Sequence, residues 1–193
     1  MTFDPKMHHR RSIRLQGYDY SQAGAYFITI CTLNREYLFG KIVAGKMTLN
    51  HAGDMIQTVW DEIPFHYGGI EIDEFVVMPN HVHGIIVIAG NMGDAGPLSL
   101  GDMVHRFKTM TTKRYADGVK QSGWRRFPGK LWQRNYWEHI VRNEMELGRI
   151  RQYIHTNPTQ WESDRLNLGE RKTGSPSMVC EPVYNYPTKR WMV

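Results

Sequence analysis

Cysteine is scarce in this sequence of 193 residues. Its only two cysteines, Cys31 and Cys180, lie far apart and form no CxxC pair, so neither a cysteine metal knuckle nor a disulfide framework is expected. This usage predicts a reducing compartment, the cytoplasm. Long apolar runs are also missing, since no stretch approaches the ~18 residues of a membrane-spanning helix. The basic segment 1–14 has no apolar run after its charges, so we expect no secretory signal.

Positive charge is absent from one long part of the chain. Residues 50–100 contain no Lys or Arg and seven acidic residues, which gives a net charge of −7. Residues 101–142 contain ten basic and three acidic residues, which gives +7, within a total of +5. Aromatic residues lie between these cations, at Tyr115, Trp124, Phe127, Trp132, Tyr136 and Trp137.

This basic, aromatic block is what a groove for single-stranded nucleic acid needs, because cations follow the phosphates and rings stack on the bases. A solvated basic face would have the same composition, so charge alone leaves both explanations open. The candidate DNA-binding residues are Arg10, Arg11 and Arg14 in an N-terminal arm over 1–20, and Arg106, Lys108, Lys113, Arg114, Arg125, Arg126 and Lys130 in the block.

Apolar periodicity predicts strands interrupted by helices. We expect strands over 26–32, 37–43, 47–49, 70–78 and 81–89, and helices that begin after Asn50, at Ser99 or Gly101, and after Asn143. The second helix should end near Ala116, before a basic loop over 117–130 and a mostly extended segment over 131–141. Residues 90–101 should form a mobile loop. The order predicts an α+β fold, with one antiparallel sheet and helices packed mainly on one face.

Two histidines stand at the start of the most apolar strand, in the string His81-Val82-His83. Residues i and i+2 of a strand point to the same face, so the two imidazoles should stand side by side, close enough to share a divalent metal. A bare His-x-His is a weak indication by itself. At the start of a buried strand, however, two polar groups without partners would be costly.

A tyrosine and an amide lie one helical turn apart on the helix that follows Asn143. Tyr153 and Asn157 are i and i+4, so they share one face beside the apolar stripe of that helix. Tyr153 is either a boundary residue or a nucleophile that uses a metal during phosphoryl transfer. Tyr115 and Tyr136 are competing candidates, but neither has an amide one turn later.

Three strings together resemble one family. They are Tyr26-Phe27-Ile28-Thr29-Ile30-Cys31-Thr32, Val77-Met78-Pro79-Asn80-His81-Val82-His83-Gly84-Ile85, and Trp132 to His139 followed by Arg151-Gln152-Tyr153-Ile154-His155-Thr156-Asn157-Pro158. They are similar to the single-tyrosine His-hydrophobic-His transposases of insertion sequences, and in particular to the REP-associated tyrosine transposases. The similarity runs from about Ser12 to Trp161.

We expect a catalytic domain over 21–161 and a tail over 162–193, with Gly, Pro and Ser at 173–177, that wraps it. The resemblance implies a ferredoxin-like core. It implies a Mg²⁺- or Mn²⁺-dependent enzyme in which His81 and His83 hold the metal and Tyr153 attacks DNA. Asn157 stands where related transposases carry a Gln ligand, and its shorter side chain is the third candidate ligand.

The expected partner is single-stranded or hairpin DNA at the nucleoid, cleaved and rejoined through a 5′-phosphotyrosine by a monomer or a homodimer. No membrane partner is expected. Two alternatives stay open: a binding module of the same fold without catalysis, and a phosphodiesterase that uses water.

Overall fold

A four-stranded antiparallel sheet lies at the centre of the described structure. The computed structural model describes residues 14–15, 17–90 and 98–167. In chain order the elements are β1 (Gly24–Cys31), β2 (Gly40–Val43), β3 (Lys46–Leu49), α1 (His51–Asp61), α2 (Ile63–His66), β4 (Ile70–Met78), β5 (His81–Ile88), α3 (Leu100–Ser122), β6 (Trp137–Val141) and α4 (Glu144–Thr156), followed by a 3-10 helix (Asn157–Ser163). The strand order of the sheet is β4-β5-β1-β6, and strands β2 and β3 pair separately as a hairpin.

The two faces of the sheet pack against different helices. Tyr26, Ile28 and Ile30 of β1 point into the larger core, which α1, α2 and α3 cover. The alternate residue Phe27 points to the opposite face, where Ile154 and the rest of the apolar stripe of α4 pack. The predicted α+β class is confirmed, and three of the four α-helices in the described ranges lie on one face.

The helix starts follow the capping residues in the sequence. The Asn50 side chain accepts a hydrogen bond from the Gly53 N–H, and Asn143 accepts from the Glu146 N–H. Of the two predicted starts for α3, Ser99 is the cap, with a reciprocal capping box to Asp102. The predicted caps therefore set where these three helices begin.

Helix α3 is longer than the prediction. It continues past Ala116 to Ser122 and ends at Gly123, whose φ of 66° closes it in the left-handed region. The prediction of a loop from Asp117 onward was wrong because Gly118 has a packing role: a Cβ there would lie 2.3 Å from the Trp124 ring. The ring thus packs against the last turns of the helix and stabilises them.

The segment expected to be mostly extended is a strand only from Trp137 to Val141. Before it, Trp132 forms an isolated bridge with Thr32, and the Gln133 N–H donates to the Cys31 carbonyl. The approach to β6 is therefore attached to the end of β1.

Strand β5 lies between β4 and β1 and is buried along its length except at Val87, as its apolar run predicts. Arg10, Arg11, residues 91–97 of the predicted loop and the tail beyond Asn167 lie outside the described residues. Within the described ranges, none of the helices combines the length and the hydrophobicity needed to cross a membrane.

Candidate metal and nucleophile site

His81 and His83 lie on the face of β5 that α4 covers, as the strand alternation predicts. Both are fully buried, and their Nε2 atoms are 3.0 Å apart. Two donors that bind one ion at about 2.1 Å each must lie within about 4.2 Å of each other, and this pair meets the limit. The fold thus brings two ring nitrogens together at a buried position between the sheet and α4.

Asn80 determines which nitrogen of His81 carries its proton. The Asn80 Nδ2 donates to the carbonyls of Leu166 at 2.8 Å and of Arg35 at 3.3 Å. Its Oδ1 therefore faces His81 Nδ1 at 2.8 Å, and this nitrogen must be the donor. The Nε2 of His81 keeps its lone pair, which is the form that binds a metal.

The second histidine is oriented from the neighbouring strand. Thr29 on β1 pairs with His83 across the ladder, and its Oγ1 shares a hydrogen bond with His83 Nδ1 at 2.8 Å. Hydrogen bonds of this kind behind metal-binding histidines fix the ring orientation.

Burial keeps both imidazoles neutral. It lowers the pKa of His83 from its ordinary value of 6.5 to about 3. Burial, with the neighbouring His83 and Arg35, also lowers the pKa of His81 well below that value. Neutral imidazole is the ligand form, so both rings are ready to bind a metal at neutral pH.

The Tyr153 hydroxyl lies 3.3 Å from His83 Nε2. Helix α4 holds it there, because Ile150 and Ile154 are buried against Phe27 and Ile85. The Tyr153 ring also packs edge-on against Phe27, with centroids 5.9 Å apart. A single chain thus brings the candidate nucleophile to the histidine pair.

Asn157 directly follows α4 and is 2% exposed. Its Oδ1 is buried and has no hydrogen-bond partner. An unsatisfied buried amide oxygen is costly, and an ion would satisfy it.

A further donor, this one acidic, lies here and was missed by the sequence analysis. The ligand atoms of His81, His83 and Asp164 all lie within 4.8 Å of one another, a bound slightly wider than the limit of about 4.2 Å for two donors on one ion. Asp164 follows the 3-10 helix in what was expected to be a wrapping tail. Its only indication in the sequence is an acid close to a buried leucine, Leu166, which is common in any chain.

The two competing tyrosines lie away from the histidine pair and make other contacts. Tyr115 and Tyr136 belong to the larger core on the other face of the sheet. The Tyr115 hydroxyl donates to the Arg125 carbonyl at 2.9 Å, and the Tyr136 hydroxyl accepts from Arg14 at 2.8 Å. Of these three tyrosines, Tyr153 is the one with a described contact to the histidine pair.

Several predicted DNA-binding cations make contacts within the protein. Arg14 lies over the Tyr136 ring and 3.8 Å from Glu138. Lys108 donates to three backbone carbonyls, those of residues 133 to 135, and burial lowers its pKa to about 8. Arg106 lies over the Tyr67 ring, Arg114 pairs with Glu62, and Arg125 pairs with Glu36.

Of the predicted DNA-binding cations in the block, Lys113, Arg126 and Lys130 are exposed and have none of these partners. Within the described ranges their side chains make no ion pair or hydrogen bond. The loop that carries Arg126 and Lys130 leads to Leu131, whose carbonyl accepts from the Leu33 N–H. This places the loop next to the end of β1, where Cys31 is opposite His81 in the ladder.

Comparison with known proteins agrees with this geometry. A sequence model of the family described as "Transposase IS200 like" matches residues 23–157. This range is most of the chain and includes His81, His83 and Tyr153. The chain belongs to the IS200-like transposase family. It is therefore an enzyme of the tyrosine transposase class, and the resemblance stated from the motifs is confirmed.

Similar sequences and a solved structure are consistent with membership of this family. The chain is 41% identical over 183 residues to an uncharacterized protein of Haemophilus influenzae, covering 85% of this chain and 96% of that one. It is 27% identical over 142 residues to the REP-associated tyrosine transposase of Escherichia coli, covering 73% and 70%. A solved REP-associated tyrosine transposase bound to a REP hairpin shares the fold, with a TM-score of 0.52, 20% identity and coverage of 77% and 74%.

Proposed function

We propose that this transposase cleaves and rejoins single-stranded DNA near hairpins through a covalent bond between Tyr153 and a 5′-phosphate. One observation carries the proposal: the Tyr153 hydroxyl, His83 Nε2 and His81 Nε2 follow one another at 3.3 and 3.0 Å within one chain. Because one chain supplies all three groups, a monomer suffices for the reaction. The enzyme would act on DNA at the nucleoid.

His81 and His83 would hold a Mg²⁺ or Mn²⁺ ion, and the unsatisfied Oδ1 of Asn157 is a further candidate ligand. When bound, the ion supplies charge stabilisation to the scissile phosphate. The Tyr153 oxygen forms the new bond to phosphorus while the bond from phosphorus to the 3′ oxygen breaks. The phenol proton ends on the released 3′-hydroxyl. The phosphodiester energy is kept in the phosphotyrosine, so another 3′-hydroxyl can reverse the step and join strands.

The DNA would approach across the loop that joins α3 to β6. Arg126 and Lys130 on this loop are exposed, and the loop adjoins the end of β1 opposite His81. With Lys113 on α3 they are the cations we propose for phosphate binding. Lys108 and Arg14 support the fold instead, since Lys108 donates to backbone carbonyls and Arg14 lies over a tyrosine ring.

Trapping the covalent complex tests the proposal. The full chain is incubated with Mn²⁺ and a pool of single-stranded hairpin oligonucleotides with randomised flanks, and the DNA-linked peptide is identified by mass spectrometry. We expect DNA on Tyr153, none with Tyr153→Phe, and none with His81→Ala or His83→Ala. Tyr115→Phe is the matched control, because it removes a phenol from the other face of the sheet and should still give the adduct.

Two results would overturn the proposal. Cleavage without an adduct would make the protein a phosphodiesterase that uses water. Binding of the hairpin pool without cleavage, under conditions where the histidine variants behave like wild type, would make it a binding module.

A further inference from the structure

The chain returns to the histidine pair after the tyrosine helix. Asp164 follows the 3-10 helix, and its carboxylate lies within 4.8 Å of the ring nitrogens of His81 and His83. It is half-buried, and burial raises its pKa. The site therefore has a carboxylate donor that does not belong to the strand of the histidines or to the helix of the tyrosine.

Hydrogen bonds hold this carboxylate in place. The Leu166 N–H donates to Asp164 Oδ1 at 2.7 Å, and the Asn157 side chain gives a further hydrogen bond. The carboxylate is thus held in a hydrogen-bonded turn, and its oxygens keep lone pairs that can bind another partner.

The flanking segment is attached to the site at several points. The Leu166 carbonyl accepts from Asn80, the Arg165 carbonyl accepts from Arg35 at 3.0 Å, and the Tyr37 hydroxyl donates to Asn167 at 2.6 Å. Leu166 itself is 1% exposed and packs on Cys31. Asn80 therefore orients His81 and anchors the segment of Asp164 at the same time.

Arg35 supplies positive charge near Asp164. Burial raises the pKa of Asp164, and the Coulombic effect of Arg35 lowers it. Among the residues that the structure describes, however, no Lys or Arg nitrogen lies within 4.0 Å of the Asp164 carboxylate, so this charge does not form an ion pair. A half-buried carboxylate without an ion pair would be stabilised by a divalent ion beside it.

We infer that Asp164 is a metal ligand of this transposase and completes a His81, His83, Asp164 set. The inference rests on the metal site of the proposed function and deepens it. Two imidazoles and one carboxylate are a mixed nitrogen and oxygen set. Mg²⁺ prefers oxygen ligands and keeps its waters, so this set binds Mn²⁺ more tightly than Mg²⁺.

Direct metal binding tests the assignment without DNA or turnover. Mn²⁺ binding to the full metal-free chain is measured by calorimetry and by loss of the free-ion electron paramagnetic resonance signal. Asp164→Asn removes the charge but keeps an oxygen that can accept from the Leu166 N–H. We expect it to weaken Mn²⁺ binding by about tenfold or more, because loss of an outer-shell partner alone costs 10–100-fold.

Glu162→Gln is the matched control. It removes the same charge two residues earlier, from an exposed side chain, and should bind Mn²⁺ as wild type does. Asp164→Glu keeps the carboxylate and should bind more tightly than Asp164→Asn. Thermal unfolding of each metal-free variant shows that the comparison is made between folded proteins, and if Asp164→Asn does not fold, wild-type affinity in Asp164→Ala would overturn the assignment.

The results separate this inference from the proposed function. Wild-type affinity in Asp164→Asn, together with lost binding in His81→Ala, would overturn the role of Asp164 and leave the histidine site standing. Absence of Mn²⁺ binding in the wild type would overturn both. Loss in both variants with full binding in Glu162→Gln supports the three-ligand set.

Discussion

At the scale of single residues, the site depends on side chains held in one protonation state. Asn80 can present only its oxygen to His81, because its amide nitrogen is used by two carbonyls. Burial then keeps both histidines neutral. The two effects act together, since the first selects the nitrogen that carries the proton and the second prevents another proton from binding.

This arrangement makes the metal-free protein sensitive to acid. The pKa of His83 is about 3 in the folded chain and near 6.5 when exposed, so the unfolded chain binds more protons between these values. The free energy of unfolding should therefore be unaffected by His83 above about pH 6.5 and fall as the pH is lowered toward 3, with His81 acting in the same direction. Urea titrations at pH values from 7.5 to 4 measure this fall in the free energy of unfolding. His83→Gln should flatten the slope, and an unchanged slope would contradict the prediction.

The residues of the site differ in how far the sequence predicted them. His81 and His83 could be found because strand alternation puts i and i+2 on one face, and their geometry confirms that expectation. Asp164 could not, because it reaches the site through a turn closed by Leu166 and hydrogen bonds to Asn80. Such contacts join segments distant in sequence, and no local pattern records them.

At the scale of elements, α4 brings the tyrosine to the histidine pair. Two kinds of contact attach it to the sheet. Ile150 and Ile154 are fully buried against β1 and β5, and Arg151 makes a bidentate ion pair with Asp73 of β4. The Arg151 side chain is 46% exposed, so solvent screens the pair and its contribution is small.

The apolar contacts should therefore dominate the attachment. Ile154→Ala should lower the free energy of unfolding by about 2–5 kcal/mol, because it leaves a cavity between helix and sheet. Arg151→Ala should lower it by about 1 kcal/mol or less. Urea unfolding of both variants measures the difference. A larger loss for Arg151→Ala would show that the ion pair is the main attachment.

The elements themselves were predictable where local chemistry decides them. The Asn50 and Asn143 caps and the strand 70–78 are as predicted, because cap side chains and alternation act within a few residues. Helix α3 was predicted to end near Ala116, before a basic loop, and Asp117-Gly118 is indeed a pair typical of turns. What overrides that tendency is Trp124, which packs where Gly118 has no side chain.

At the scale of the whole molecule, the uneven charge of the sequence is partly neutralised on folding. Arg114 and Arg125 of the basic block pair with Glu62 and Glu36, which lie outside it. The charge left for a nucleic acid is therefore smaller than the count of +7 indicates, and it is concentrated on the exposed side chains.

DNA affinity should depend on salt through these exposed cations. Removing both Arg126 and Lys130 should reduce the slope of log affinity against log salt by about 1.4, at about 0.7 per phosphate contact with single strands. Fluorescence anisotropy with a labelled hairpin oligonucleotide measures it. Lys41→Ala with Lys46→Ala removes the same charge from the β2–β3 hairpin and should leave the slope unchanged. Equal effects of the two pairs would contradict a localised groove.

The glycine after the histidine pair has a consequence for anyone who wishes to move this site to another scaffold. A Cβ at Gly84 would lie 2.7 Å from the Trp60 ring and 2.8 Å from Phe75, which stack on each other with centroids 4.2 Å apart. The string His-Val-His-Gly therefore serves both faces of the sheet, with the histidine pair on one face and the stacked aromatic pair on the other. A designer who transfers only the histidine face would leave Gly84 without the Trp60 and Phe75 rings that fill the space next to it. The graft must therefore include the residues on both faces of the strand.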